Sequence, residues 1–112
     1  MSSLVSWDNP NLLKHFASLK NNVVFSDVTL VSDDQCFYPA HKAILSGASS
    51  FFNSVLYRFP YLQTSHPLLY LKGVNSTHLS YILDFIYDGK VEIPNDVVQQ
   101  FVLTGEELKI ED

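Results

Sequence analysis

The stretch Phe25–Phe52, FSDVTLVSDDQCFYPAHKAILSGASSFF, holds two short apolar runs, Val28-Thr29-Leu30-Val31 and Cys36-Phe37-Tyr38. Ser32-Asp33-Asp34-Gln35 separates them. Asp and Ser bond locally to backbone and favour turns, so the pair reads as a β-hairpin with Asp33-Asp34 as a solvated turn. Pro39 has no amide to give a ladder and is expected to end the second strand. Ala40–Ser46 reads as one short helix and Ser49–Tyr57 as another, with Ser49 or Ser50 as N-cap and Gly47 breaking the two apart. Asp27 precedes the first strand and His41-Lys42 opens the first helix, all in apolar surroundings. A charge held there needs a partner, so Asp27 and Lys42 are expected to come close in space.

Working outward, Asn9-Pro10 is a helix start, with Asn capping free amides and Pro at the first helical position. Leu12, Phe16 and Leu19 share one face of the helix that follows, with Leu13 and Ala17 beside it. The residues ahead of it, including Leu4, Val5 and Trp7, have no evident partner in their own hairpin. This opening either packs on its own core or packs on a second copy, with the strand around Leu4–Trp7 pairing with that copy's sheet. Downstream, Leu68–Leu71 reads as a short strand. Asn75 or Ser76 caps a helix carrying Leu79, Ile82, Leu83 and Ile86 at the spacing of an amphipathic face. Gly89 stops it in the left-handed conformation. Lys90-Val91-Glu92-Ile93 alternates polar and apolar and is expected to be a half-buried strand that receives the exchanged N-terminal one. Pro94-Asn95 starts a further helix with Val97 or Val98, Phe101 and Val102 inward, and Gly105 breaks it before a last turn over Glu106–Ile110.

At 112 residues the chain bounds one domain with one core. Hydrophobic residues make up 46% and charged residues only 17%, below the usual share of about 25%, which points either to apolar surface hidden against another chain or to a single core rich in aromatics, with eight Phe and six Tyr. Seven Lys and Arg against twelve Asp and Glu leave −5, without the clustered positive charge that phosphate backbones demand, so this segment is not expected to hold nucleic acid itself. The one cysteine, Cys36, cannot close an internal disulfide, which fits a reducing compartment. Neither a secretory signal nor a stretch of membrane-spanning length is present.

Few residues suggest chemistry. His15, His41, His66 and His78 are scattered, with no ligand-spaced Cys or carboxylate beside them, so no metal is expected. His41 reads as a partly buried ring bonded to nearby backbone. The single glycines form no phosphate loop or dinucleotide fingerprint, and Ser46-Gly47-Ala48-Ser49 lacks the order of a nucleophile elbow. The expectation is a chain that is not an enzyme and carries no cofactor.

Taken in order, Asp27-Val28-Thr29-Leu30, Ala40-His41-Lys42-Ala43-Ile44-Leu45-Ser46 and Ser50-Phe51-Phe52 resemble the signature of the BTB/POZ domain family. Leu83–Val91, with Tyr87 and Gly89, is similar to the family's second signature, and Glu107-Leu108-Lys109-Ile110 to its closing helix. The register runs from about Leu4 to Ile110, so residues 1–112 are read as a single BTB/POZ domain. Val5-Ser6-Trp7-Asp8-Asn9 is similar to the N-terminal motif of the tramtrack group of insect BTB transcription regulators. Ser6 and Asp8 depart from it where Arg usually precedes the Trp and Asn follows.

The resemblance implies an α+β fold, a small mixed sheet with flanking helices, and a strand-swapped dimer. In it residues 1–7 are the exchanged strand, 9–22 the dimerisation helix and 25–110 the core. Leu4, Val5, Trp7, Leu12, Leu13, Phe16, Ala43 and Ser46 would then lie at the dimer interface. Asp27 and Lys42 would line a charged pocket there, and His41, Phe51, Phe52, Tyr87 and Gly89 would serve the structure. The implied role is homodimerisation, or larger or mixed assembly with other BTB domains, of a nuclear transcription regulator that recruits corepressor peptides. The chain is expected to be the N-terminal fragment of such a protein. The alternative is a substrate adaptor for a cullin ubiquitin ligase. Against it, Leu56–Ser65 holds none of the carboxylates that such adaptors tend to carry after this helix.

Overall fold

The computed structural model describes residues 18–20, 23, 25–58 and 65–110. Strand β1 (Val28–Val31) lies at the centre of a three-stranded sheet, between β2 (Phe37–Ala40) and β3 (Leu68–Tyr70). It pairs antiparallel with β2 and parallel with β3, so the sheet is mixed. Helices α1 (Lys42–Ala48), α2 (Ser50–Arg58), α3 (Ser76–Asp88) and α4 (Val98–Glu107, preceded by a 3-10 turn over Asn95–Val97) flank it. The fold class is α+β, as the sequence implied.

The hairpin forms for the expected reason, with more structure in its turn than solvated carboxylates would need. Ser32 is fully buried, and its hydroxyl accepts from the Cys36 amide at 2.9 Å and donates to Asp34 at 2.7 Å. Gln35 takes the left-handed backbone, φ 65°. Asp34 is not merely solvated. Its carboxylate reaches the start of α3, accepting from the Ser76 amide at 2.8 Å and its hydroxyl at 2.6 Å. Pro39 does not end β2 but sits inside it, opposite Thr29. The ladder explains why: the Ser32 amide donates to the Cys36 carbonyl, and alternation from that pair turns Pro39's nitrogen toward the open edge of the sheet.

Two glycine breaks expected from sequence do not occur. Gly47 lies within α1, and the chain turns at Ser49, whose φ of −145° and ψ of 123° end that helix. Ser49 also starts α2, its hydroxyl accepting from the Phe52 amide at 3.1 Å and donating to the Leu108 carbonyl at 2.5 Å. Gly105 lies within α4, where a Cβ would meet Ile82 of α3 at an ordinary 3.8 Å. Packing of α4 on α3 outweighs the helix penalty of glycine, about 1 kcal/mol. By contrast α3 begins and ends as read: Asn75 accepts from the His78 amide, and Gly89 closes the helix at φ 79°.

The core face of the sheet brings Val28 and Leu30 against Leu45, Phe52 and Leu56 of α1 and α2 and Leu79 and Ile82 of α3, all essentially buried. Burying each such side chain contributes about 1.5–3 kcal/mol. In α4 the inward residue is Thr104, while Val98, Val102 and Leu103 face out and Phe101 is half-buried. Of the expected alternatives Val97 and Val98, Val97 is the half-buried one, and the expected inward placement of Val102 is reversed. Residues 90–94 form no strand; Val91 and Ile93 are half-buried and Lys90 and Glu92 exposed, yet no ladder partner appears among the described residues.

Candidate functional site

The charged pair singled out in the sequence meets through a backbone amide. Asp27 is an exposed residue just before β1, and its carboxylate accepts from the Lys42 N–H at 2.8 Å. That amide is the first of α1. The N-cap residue, His41, makes no side-chain cap bond of its own. Asp27 therefore caps the helix from the far side of the hairpin, where a carboxylate also meets the positive end of the helix dipole. Lys42 itself is buried, and its ammonium donates to the Ser65 carbonyl at 2.7 Å.

His41 lies beneath this pair. The hydroxyl of Tyr87, on α3, accepts from the His41 amide at 3.1 Å and lies 2.8 Å from the ring Nδ1. The ring thus bonds a side chain from another element rather than the nearby backbone expected from sequence. Burial holds the His41 imidazole below its usual range, partly countered by Asp27, so the neutral ring is favoured. The direction of the bond between the Tyr87 hydroxyl and Nδ1 follows the ring's tautomer, and Nε2 is buried without a hydrogen-bond partner among the described residues. Tyr87 is itself pushed up to about 12, chiefly by burial. Nothing in sequence marked Tyr87 as the link between α3 and the start of α1; its aromatic neighbours at 81 and 85 look the same locally.

The other structural residues lie where packing can use them. Phe52 is fully buried, and Phe51 is half-buried with its ring edge-on to Phe52 at 5.3 Å. Ala43 is exposed, and Ser46 is half-buried with a hydroxyl that finds no hydrogen-bond partner among the described residues. Leu4, Val5, Trp7, Leu12, Leu13 and Phe16 lie outside the described residues, as do the exchanged strand 1–7 and most of the helix over 9–22. Residues 18 and 19 are helical, and Lys20 is bound to Asp84 at 2.7 Å and Asp88 at 3.0 Å, tying this segment to α3. Those hydrogen bonds hold the Lys20 ammonium above its usual range.

A second feature was not read from sequence. An open groove of about 390 Å³ runs between α3 and α4, lined by Ile82, Phe85, Phe101, Val102 and Ile110 with Glu106 at its rim. Among the described residues no group of His, Cys, Asp and Glu could hold a metal ion, and no helix is long and apolar enough to cross a membrane. The groove's lining is mostly apolar.

The sequence pattern of the BTB/POZ domain matches residues 16–112. A Drosophila melanogaster longitudinals lacking protein-like chain is 35% identical over 89% of this chain and 76% of its own length. Protein tramtrack, alpha isoform, from the same fly is 35% identical over 93% of this chain, and bric-a-brac 1 is 33% identical over the same share. This chain spans about a tenth of the length of those two, 12% and 10%. Among solved structures, the BTB domain of human gigaxonin superposes with a TM-score of 0.74 at 25% identity, covering 96% of this chain and 89% of that one. The BTB domain of zebrafish PATZ1, at 20% identity and a TM-score of 0.75, shares the fold over 96% of this chain and 88% of its own. With its mixed sheet, flanking helices and tramtrack-group relatives, the chain belongs to the BTB/POZ domain family, a protein-interaction fold whose members self-associate and bind other proteins.

Proposed function

We propose that this domain pairs with a second copy by exchanging its leading strand. The observation that carries the reading is the segment Lys90–Ile93. It alternates in sequence and in burial like a strand, yet has no ladder partner among the described residues. A segment without a ladder partner can have its backbone hydrogen bonds supplied by an incoming strand. Residues 1–7 of the second chain are the proposed occupant. Leu12, Leu13 and Phe16 then join the exposed Ala43 and the unbonded hydroxyl side of Ser46 in one apolar seam. Val23 and Phe25, exposed at the entry to β1, extend it. Asp27 and Lys42 flank the seam as a charged pocket.

In this reading the domain acts by binding and not by catalysis. Joining two chains joins whatever each carries, and two linked DNA-binding segments gain affinity without new contacts of their own. The resemblance to the tramtrack group supports reading such a chain as part of a nuclear transcription regulator that recruits corepressor peptides, with mixed pairing to other BTB domains as a variation. Light scattering across concentration tests the reading. The chain is expected at the mass of two copies, and Val91→Pro, which removes an amide from the receiving segment, should weaken pairing by roughly tenfold or more. A single-chain mass at all concentrations, or a Val91→Pro dimer of unchanged strength, would overturn it. Capture of a cullin by the purified domain would favour the adaptor reading instead.

A further inference from the structure

The groove between α3 and α4 has no part in the proposed pairing. It lies within one chain, and its lining shares no residue with the seam or the charged pocket. On α4, Val98, Phe101, Val102, Gly105 and Glu106 recur at the spacing of one helix face. Val98 and Val102 are 39% and 47% exposed, and Phe101 is half-buried. The α3 wall adds Ile82 and Phe85, and Ile110 completes the lining. Apolar side chains thus run along an open channel of about 390 Å³, with the Glu106 carboxylate at its rim.

The geometry points to this groove as the docking site of a basic amphipathic helix from another protein, one helix per chain. Such a helix carries large apolar side chains at i, i+3, i+4 and i+7 on one side and Lys or Arg on the other. Backbone chemistry selects a helix. Both walls are α-helices whose amides and carbonyls bond within the helix. An extended segment would lay its own unbonded N–H and C=O groups on apolar side chains, whereas a helix brings those bonds with it. Charge selects a basic partner. Between Val74 and Ile110 stand Asp84, Asp88, Glu92, Asp96, Glu106 and Glu107 against Lys90 and Lys109. Lys20 takes up Asp84 and Asp88, but among the described residues Glu106 has no ion-pair partner. The same charge disfavours a second copy, which carries −5 and would set Glu106 against like charge. Area limits the partner to a short segment. The exposed apolar lining offers on the order of 300 Å², so the contact buries roughly 600 Å² over both sides, below the roughly 1,000 Å² of a lasting protein interface.

Fluorescence anisotropy on the whole chain tests this with two synthetic peptides of about fifteen residues, about four turns each. One is a Leu/Lys helix with Leu at i, i+3, i+4 and i+7, and the other has Glu in place of Lys. The Leu/Lys peptide should bind saturably, one per chain, with a micromolar Kd, and roughly tenfold or more tightly than the Leu/Glu peptide. A central Pro in it should abolish binding, and retained binding overturns the helix. Val102→Lys should weaken binding by roughly tenfold or more, and Glu106→Gln by roughly threefold with a shallower salt dependence. Leu68→Lys, at an exposed position outside the groove, adds the same charge and should leave the affinity unchanged. Val102 and Leu68 are both exposed, so the melting temperatures should match the parent's. Equal affinity for the two peptides overturns the site, as does a Leu/Lys peptide that fails to bind. Equal losses from Val102→Lys and Leu68→Lys overturn it too, since binding would then follow net charge and not the groove. A Val102→Lys chain with lowered melting temperature and unchanged peptide affinity means that the chain's own residues cover the groove. An assembly mass that Val102→Lys lowers puts a second copy there. Either result overturns the docking site, and the strand-exchanged pair is read separately from Val91→Pro.

Discussion

Asp27 and Asp34 stand beyond the two ends of β1, and each accepts from the first amide of a helix elsewhere in the chain, Lys42 of α1 and Ser76 of α3. The bonds are equal in length, 2.8 Å. Their settings differ. The start of α3 has a cap of its own in Asn75, and Asp34 adds to it, taking the Ser76 hydroxyl and the Ser32 hydroxyl as well. The start of α1 has no side-chain cap at His41, so Asp27 supplies one from fifteen residues away while Tyr87 holds the His41 amide. One helix start is built largely from its own neighbourhood. The other exists only because two distant elements arrive there.

The contrast can be broken by experiment. Tyr87→Phe removes the hydroxyl that serves both the buried His41 amide and its ring, and should cost roughly 2–3 kcal/mol in urea unfolding. A loss under about 1 kcal/mol would mean that the start of α1 is less dependent on α3 than its geometry implies. Asp27→Ala should cost about 1–2 kcal/mol and speed amide exchange in the first turn of α1 selectively. Asn75→Ala should cost less, about 0.5–1 kcal/mol, because Asp34 still holds Ser76. If Asn75→Ala proves the worse of the two cap losses, the two ends are not as different as drawn.

The smallest effect is read from pH. The Asp34 carboxyl is drawn down to about 2 from 3.8 by its bonds to Ser76 and Ser32. The unfolded chain takes up that proton first, so the contribution of Asp34 is present above pH 3.8 and lost as pH falls toward 2. His41 is held below its usual 6.5 by burial, so its unfolded form likewise protonates first, and stability declines as pH drops through that region. Both act in the same direction. Denaturant midpoints measured across pH should show two acid-side declines, with Asp34→Asn flattening the lower one only.

Local chemistry carried much of this into the sequence. Asn75 and Gly89 bound α3 because a side-chain acceptor and a left-handed glycine act within one turn, and such signals need no other part of the chain. The hairpin was legible for the same reason. Pro39, Gly47 and Gly105 were misread because each was taken by its intrinsic preference. A free sheet edge accommodates the first, and packing of α4 on α3 carries the last. Asp34 looked like a solvated turn because Ser76, its main partner, lies forty-two residues on. Of the charged site, the approach of Asp27 to Lys42 could be inferred from two charges in apolar surroundings. That the contact is to an amide, and that Lys42 turns to Ser65, could not.

Composition and alternation alone thus established one small domain short of charge, of short strands and helices each with one apolar face, and the family resemblance implied the α+β class. Which surface stays uncovered was set in three dimensions. Whether Phe37 or Tyr38 faces the core depends on the register of β2 against β1, and a shift of one residue would exchange them. Whether Thr104 or Val102 turns inward depends on how α4 lies across α3. Periodicity names the faces of an element, but burial is a property of what packs against it.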